Sequence, residues 1–279
     1  MKHQEGIFTG QENLTLYYQY WLPTTDARAV LLLVHGLGDH SSYWANLINH
    51  FVPRGYAVCG YDHRGHGKSE GLGGYVEKFQ YYIDDLKTFV EMVRGEYSNT
   101  KIFMVGISMG GLIATTYSTE YQHDLSGLLL AGPLLKSESV CSPLLMPLAR
   151  LLSLLLPKLG VQPLDLSALS QDKEVVDRAL NDPLVYKGKN RARLGAELLK
   201  TTQKLPEQMP EITLPILIMH GTADRICNLE GSKMLYELAS SKDKTLRLYE
   251  GFYHEIFNEP QHEQVFTDIQ EWLSVHIGG

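Results

Sequence analysis

Lys101–Leu112 reads KIFMVGISMGGL. Its first part, Lys101 to Ile107, is a short apolar run of strand length and composition. Gly106-Ile107-Ser108-Met109-Gly110 follows, and then Gly111 and a stretch from Leu112 to Glu120 that reads as helix. Strand, Gly-x-Ser-x-Gly and helix together are the context of a nucleophile elbow. A serine on so sharp a turn sits in strained backbone, so the residues two before and two after it must lack bulk. Gly106 and Gly110 meet that requirement. The helix that follows would aim its free N–H groups at negative charge developing beside Ser108. The competing reading is a glycine-rich turn that holds an incidental serine.

Outward from this stretch the chain alternates strand and helix. Glu5–Phe8 and Leu14–Leu22 suggest an opening hairpin, and Ala29–Val34 and Tyr56–Tyr61 are continuous apolar runs. Such runs suit parallel strands covered on both faces. Helical patterns fall at Ser41–Val52 and Phe79–Tyr97, and Leu125–Ala131 is a further strand. The alternation predicts an α/β fold, a mostly parallel central sheet with helices on both faces. From Leu134 the rhythm breaks into SPLLMPLARLLSLLLPKLG at 142–160, then loops, then a helix near Gly195–Lys204. It resumes with strands at Leu214–His220 and Lys244–Tyr249 and helices at Leu229–Ala239 and Gln261–Val275. Residues 1–133 and 211–279 are therefore expected to form the core, with 134–210 an inserted helical cap.

Composition narrows the function classes. The chain has 279 residues, net charge −7 and 44% hydrophobic residues, an ordinary globular balance. The acidic excess argues against nucleic acid as a partner, since phosphates need a basic face. Cys59, Cys141 and Cys227 are an odd, unpatterned set, which favours free thiols in a reducing compartment. The N-terminal MKHQEGIFTG lacks an apolar signal core, so a cytoplasmic location is expected. The histidines lack zinc spacing of the HExxH kind, and no metal or cofactor is expected.

A serine hydroxyl needs a base, and the base needs an orienting acid. Among eleven histidines, His254 lies just beyond the last strand, at the end of the sheet where Ser108 emerges. His35 and His220 end strands beside glycine and read as loop-shaping. His63 and His66 belong to the DHRGHG loop. Asp224 follows the penultimate strand and is the candidate acid, with a helix-capping aspartate as the alternative. Glu230 and Asp243 belong to or follow the next helix. The chain order Ser108, Asp224, His254 is that of the α/β-hydrolases. The expected oxyanion donors are the N–H groups of Met109, after the serine, and Leu37, in the glycine-flanked loop after the third strand.

HGLGDHSSYW, DHRGHGKSEG, GISMGG, HGTADRIC and EGFYHEIF, in this order, resemble the monoacylglycerol lipase and lysophospholipase branch of the α/β-hydrolases. The resemblance runs from the first hairpin to the last helix. It implies a serine hydrolase that cleaves lipid esters through Ser108, Asp224 and His254, with Leu37 and Met109 holding the oxyanion. Monoacylglycerol is the leading substrate, with lysophospholipids or simple carboxylic esters as alternatives and a non-catalytic lipid carrier as a distant one. It also implies a cap that touches membranes and leads to an acyl tunnel, and a thiol, Cys227, near the site. Three positions depart from mammalian members of the branch. Asp39 stands for a glutamate, Tyr43 for an arginine and Phe257 for a histidine, all toward the alcohol side of the pocket. Independently, leucines from 144 to 156, Leu148 and Leu152 among them, exceed what one core-facing helix side requires. They are expected to line an acyl tunnel, meet a membrane surface or bury against the sheet.

Overall fold

The computed structural model describes residues 1–278 apart from 137, 139, 141–143 and 145, and the backbone alone of 148–150. Cys141, Leu145 and the side chain of Leu148 thus lie outside the described residues. The strands are β1 (Lys2–Thr9), β2 (Thr15–Leu22), β3 (Ala29–Val34), β4 (Tyr56–Tyr61), β5 (Ile102–Ile107) and β6 (Gly127–Ala131). After the insertion come β9 (Ile216–Gly221) and β10 (Lys244–Tyr249), while β7 (Gly160–Gln162) and β8 (Asn190–Arg191) form a separate ribbon within it. The main sheet has the order β1-β2-β4-β3-β5-β6-β9-β10. β1 and β2 pair antiparallel, as do β2 and β4; every other neighbouring pair is parallel.

The apolar runs form strands because both faces of the sheet are covered. Val30, Leu32 and Val34 of β3 join the core built with α2 (Gln80–Glu96) and α3 (Met109–Tyr121). Ala29, Leu31 and Leu33 point to the opposite face, against α1 (Ala45–Phe51) and α8 (Glu263–Ile277). β5 and β9 divide in the same way, with Met104 and Ile218 on one side and Phe103 and Leu217 on the other. A parallel sheet carries its functional groups at the carboxyl ends of its strands, and the loops after β3, β5, β9 and β10 open at that one edge.

The insertion holds α4 (Met146–Leu155), α5 (Lys173–Asn181) and α6 (Ala192–Gln208). The sequence reading found only part of α6 here. α5 starts at Asp172, whose side chain accepts from the Glu174 N–H, and it buries only Val175 and Ala179. α6 extends beyond the expected Gly195–Lys204 at both ends and runs through Pro206. Proline so close to the end removes a single helical hydrogen bond, and Leu205 and Met209 on either side of it are fully buried. α7 (Leu229–Leu238) follows β9. Ser41–Trp44, expected as the first turns of one helix with α1, is a short 3-10 turn, and another, Val52–Arg54, ends α1.

Candidate active site

Ser108 sits between β5 and α3 with φ 54° and ψ −121°, outside the region that side chains favour. The flanking glycines are needed for close approach. A Cβ on Gly110 would lie 2.0 Å from the Val34 carbonyl oxygen, and one on Gly106 would lie 2.7 Å from the Gly110 oxygen. The strain is held by neighbours: the Ser108 N–H donates to Ala131 O at 3.2 Å, and the Leu134 N–H donates to Ser108 O at 3.0 Å.

Asp224 follows β9 and His254 follows β10. His254 Nδ1 lies 2.7 Å from Asp224 Oδ2, so Nδ1 carries the proton and Nε2 is left as the acceptor. Asp224 Oδ1 accepts from the Ile226 and Cys227 N–H groups at 2.8 and 3.0 Å. Asp224 caps no helix: the residue capping α7 is Asn228, whose side chain accepts from the Glu230 N–H. The rival acids are engaged elsewhere, Glu230 with Lys233 and Asp243 with His276. The pair abuts the strand next to the serine, since a Cβ on Gly132 would stand 3.2 Å from both Asp224 Oδ2 and His254 Nδ1. Ser108 Oγ itself lies 3.8 Å from Cys227 Sγ.

The electrostatics follow from burial and pairing. Burial pushes the Asp224 carboxyl up, but the charge of His254 and hydrogen bonds from His220 and His254 outweigh it and hold the group well below the usual range. Burial lowers the His254 imidazole, yet the Asp224 charge and hydrogen bond carry it above its ordinary value. The Cys227 thiol is driven well up by burial and by Asp224, which leaves it protonated and a poor nucleophile.

His220, expected only to shape the loop, does more than that. Its Nε2 lies 3.2 Å from Asp224 Oδ2 and 3.1 Å from Cys227 O, while Nδ1 meets Ser232 Oγ at 2.7 Å. It is a second, fully buried imidazole on the acid. The signal was present in His220-Gly-Thr-Ala-Asp224, where a tight turn brings the ends together.

The loop after β3 lies against the serine, for a Cβ on Gly36 would be 3.3 Å from Ser108 Cβ. Leu37 belongs to that loop and Met109 is the first residue of α3, so both backbones flank Ser108. His35 fixes the loop. Its Nε2 accepts from the His63 N–H at 2.8 Å, which leaves Nδ1 to donate to Gly36 O at 2.8 Å. His63 Nε2 returns a bond to His35 O at 3.1 Å. The DHRGHG loop is therefore a buttress, further tied by Arg64 clasping Asp85 at 2.7 and 2.9 Å and by Asp62 accepting from Ser41. Burial and mutual repulsion lower the pKa of His35 and His63, and burial lowers that of His66, so all three stay neutral.

Asp39, Tyr43 and Phe257 come together around a small cavity of about 20 Å³. Phe257 is its buried back wall, edge-on to Trp44 at 5.8 Å. The sequence reading passed over Glu255, which lines the same cavity. Leu152 in α4 is half-buried and lines no cavity described here. A groove of about 620 Å³ runs between Gln162–Ser167 and α5, and it shares Leu164 and Leu166 with a second 20 Å³ cavity at Leu37, Asp39 and Glu255. The insertion is fastened to this rim: the Tyr186 N–H donates to Gly38 O and the Glu255 N–H to Leu169 O, each at 2.8 Å. Most of the described leucines between 144 and 156 are turned to solvent. Leu144, Leu151, Leu154, Leu155 and Leu156 are all exposed, Leu144 at 90%. Among the described residues no helix is long and apolar enough to cross a membrane, and no cluster of His, Cys, Asp and Glu could hold a metal ion.

The family model described as serine aminopeptidase, S33, matches residues 25–261. The chain is 33% identical to the monoacylglycerol lipase of Mycolicibacterium smegmatis over 98% of both proteins. It is 34% identical to human monoglyceride lipase, over 93% of this chain and 86% of that protein. The crystal structure of Paleococcus ferrophilus monoacylglycerol lipase superposes with a TM-score of 0.84 at 32% identity, covering 94% of this chain and 99% of that one. A strained serine after the central strand, a buried acid–imidazole pair and full-length likeness agree: the chain belongs to the monoacylglycerol lipase branch of the α/β-hydrolases, and it is a serine hydrolase of lipid esters.

Proposed function

We propose that the chain hydrolyses monoacylglycerols to fatty acid and glycerol through Ser108, Asp224 and His254. The observation that carries this reading is the 2.7 Å contact from His254 Nδ1 to Asp224 Oδ2, which leaves Nε2 free to serve the serine. His254 Nε2 removes the Ser108 proton as Oγ attacks the ester carbonyl. The Leu37 and Met109 N–H groups receive the oxyanion, a contribution that in related chemistry is worth about 3–4 kcal/mol per donor. His254 then protonates the departing alcohol, and water activated by the same nitrogen releases the fatty acid. Asp224, anchored by two backbone N–H groups and by His220, holds the imidazole and balances its charge.

Two relatives whose names state monoacylglycerol or monoglyceride lipase activity, each at a third identity over nearly the whole chain, support that substrate class. The exposed leucines of the insertion are the proposed contact with a membrane or lipid droplet, where such substrates reside. Burial of an acyl chain at roughly 0.8 kcal/mol per CH₂ would supply most of the binding energy. Cys59 and Cys227, free and buried, favour a reducing, cytoplasmic location.

The test is hydrolysis of mono-, di- and triacylglycerols beside lysophospholipids across acyl lengths, with Ser108→Ala as control. Preference for monoacylglycerol, lost in the variant, is expected. Unchanged turnover by Ser108→Ala overturns the assignment.

A further inference from the structure

Asp224 is met by two imidazoles, and the proposed reaction moves a proton through only one of them. His254 Nδ1 reaches Asp224 Oδ2 at 2.7 Å. His220, at the end of β9, places Nε2 3.2 Å from the same oxygen, and its Nδ1 meets the Ser232 hydroxyl of α7 at 2.7 Å. Ser232, His220 and Asp224 thus have the composition of a second triad. It is not a second reactive centre. Ser232 and His220 are both fully buried, and Ser232 lies inside a regular helix where Ser108 occupies a strained turn. No ester can reach it, so the unit must act through the acid that it shares.

The partners fix where the protons lie. His220 Nε2 faces two acceptors, Asp224 Oδ2 at 3.2 Å and Cys227 O at 3.1 Å, so Nε2 carries the ring proton. Nδ1 is then an acceptor, and the Ser232 hydroxyl donates to it. The carboxylate of Asp224 is thereby filled: Oδ1 takes the Ile226 and Cys227 N–H groups, and Oδ2 takes one N–H from each imidazole. Rotation of the carboxyl group would break bonds at both oxygens. The imidazoles also compete for Oδ2, because a neutral N–H turns its positive end to the oxygen and takes up charge that would otherwise act on His254 alone. The other titratable neighbours are the Cys227 thiol, kept protonated by burial and by Asp224, and Glu255, raised by burial, with Asp39 and Arg178 beyond it. Glu138 shares a surface cavity with the Asp224 loop. Arg225 stacks on Tyr253 at 4.9 Å and donates to Ser167 O, while Glu230 and Lys233 of α7 pair with each other.

Resting on the reading of the site as a serine ester hydrolase, we propose that Ser232 and His220 form a positioning unit for the reaction. Their N–H holds Asp224 Oδ2 in place and limits how firmly that oxygen retains the imidazolium of His254. An acid that held the imidazolium too firmly would slow return of its proton to the leaving alcohol. An acid free to turn would lose the aim of the imidazole. No proton passes through the unit: the His220 Nε2 proton stays on its ring while His254 takes the Ser108 proton and gives it to the leaving oxygen. Ser232 acts through His220, and His220 through Asp224; neither meets the substrate.

The experiment measures kcat, KM and the acid limb of kcat/KM for 1-octanoylglycerol in wild type, His220→Leu, His220→Gln and Ser232→Ala, each first checked for folding by urea unfolding. His220→Leu is expected to lower kcat about 10- to 100-fold, as loss of a supporting partner does in metal sites, with KM within about twofold. Its acid limb should move up by about 0.5 pH unit, because Oδ2 then serves His254 alone. Ser232→Ala should give a smaller change of the same sign, since His220 stays but loses the donor that fixes its tautomer. His220→Gln, whose amide supplies an N–H again, should recover most of kcat and return the limb toward wild type. A merely structural role would lower stability and leave the limb where it was. A limb unmoved or lowered in folded His220→Leu overturns the proposal, as does a His220→Gln profile no different from that of His220→Leu. If His220→Leu does not fold, Ser232→Ala decides: an upward shift supports the unit and an unmoved limb overturns it. Absence of ester turnover by wild type would overturn the hydrolase reading itself, whereas turnover with coincident profiles overturns the positioning role alone.

Discussion

The carboxyl edge of the sheet and the inserted cap are both rich in leucine or its equivalents, yet they use apolar residues in opposite ways. In β3, β5 and β9 every apolar side chain finds a partner on one face or the other, and the strand ends are held still by that packing. In α4 the leucines at 151, 154 and 155 face outward. Positions within the sheet answer to the interior, and positions on the cap answer to whatever approaches from outside. Reaction chemistry requires atoms fixed to within fractions of an ångström and is found at the first region. Capture of a greasy substrate, the role proposed for the second, tolerates looseness.

The largest expected effect separates the two regions by activity. Ser108→Ala should lower kcat for monoacylglycerol by about 10⁴-fold or more with an unchanged circular dichroism spectrum, while no single cap leucine should approach that loss. Stability provides the next contrast. Leu32→Ala in β3, where the side chain is fully buried, should cost about 2–5 kcal/mol in urea unfolding. Leu154→Ala, at 73% exposure, should stay within about 0.5 kcal/mol; equal losses would dissolve the distinction. The pH dependence comes third. Only neutral His254 can accept the serine proton, and its pairing with Asp224 favours the protonated form. The acid limb of kcat/KM should therefore have its midpoint above the ordinary imidazole value of about 6.5 that an unperturbed side chain would give. Asp224→Asn, with residual activity measured, should move it down. The smallest effect belongs to the cap surface: Leu154→Ser with Leu155→Ser should lower the ratio of rates on vesicle-borne to dissolved monoacylglycerol about tenfold, and an unchanged ratio would remove the lipid-contact role.

Legibility in the sequence follows the same division. β3 and β4 begin and end where their apolar runs do, because strands covered on both faces leave no alternative pattern. The elbow was readable because steric demand at Gly106 and Gly110 dictates its spelling. β7 and β8, of three and two residues, are too short to carry a period. α5 did announce itself through the Asp172 cap and apolar residues at 175, 176, 179 and 180, but the surrounding loops obscured it. Glu255 escaped because its meaning lies in Asp39, a neighbour only after folding. His220 escaped because a residue that ends a strand looks alike whether it shapes a turn or steadies an acid.

The two backbone bonds from Tyr186 to Gly38 and from Glu255 to Leu169 change how the roof of this enzyme should be regarded. A hinged door can be removed and the room behind it left as it was. Here the lower part of the roof is a tie-beam between the wall proposed to receive negative charge and the wall that carries the imidazole. Trimming it away to expose the serine would slacken both walls at once, so a truncated enzyme that turned over slowly would say nothing about substrate access.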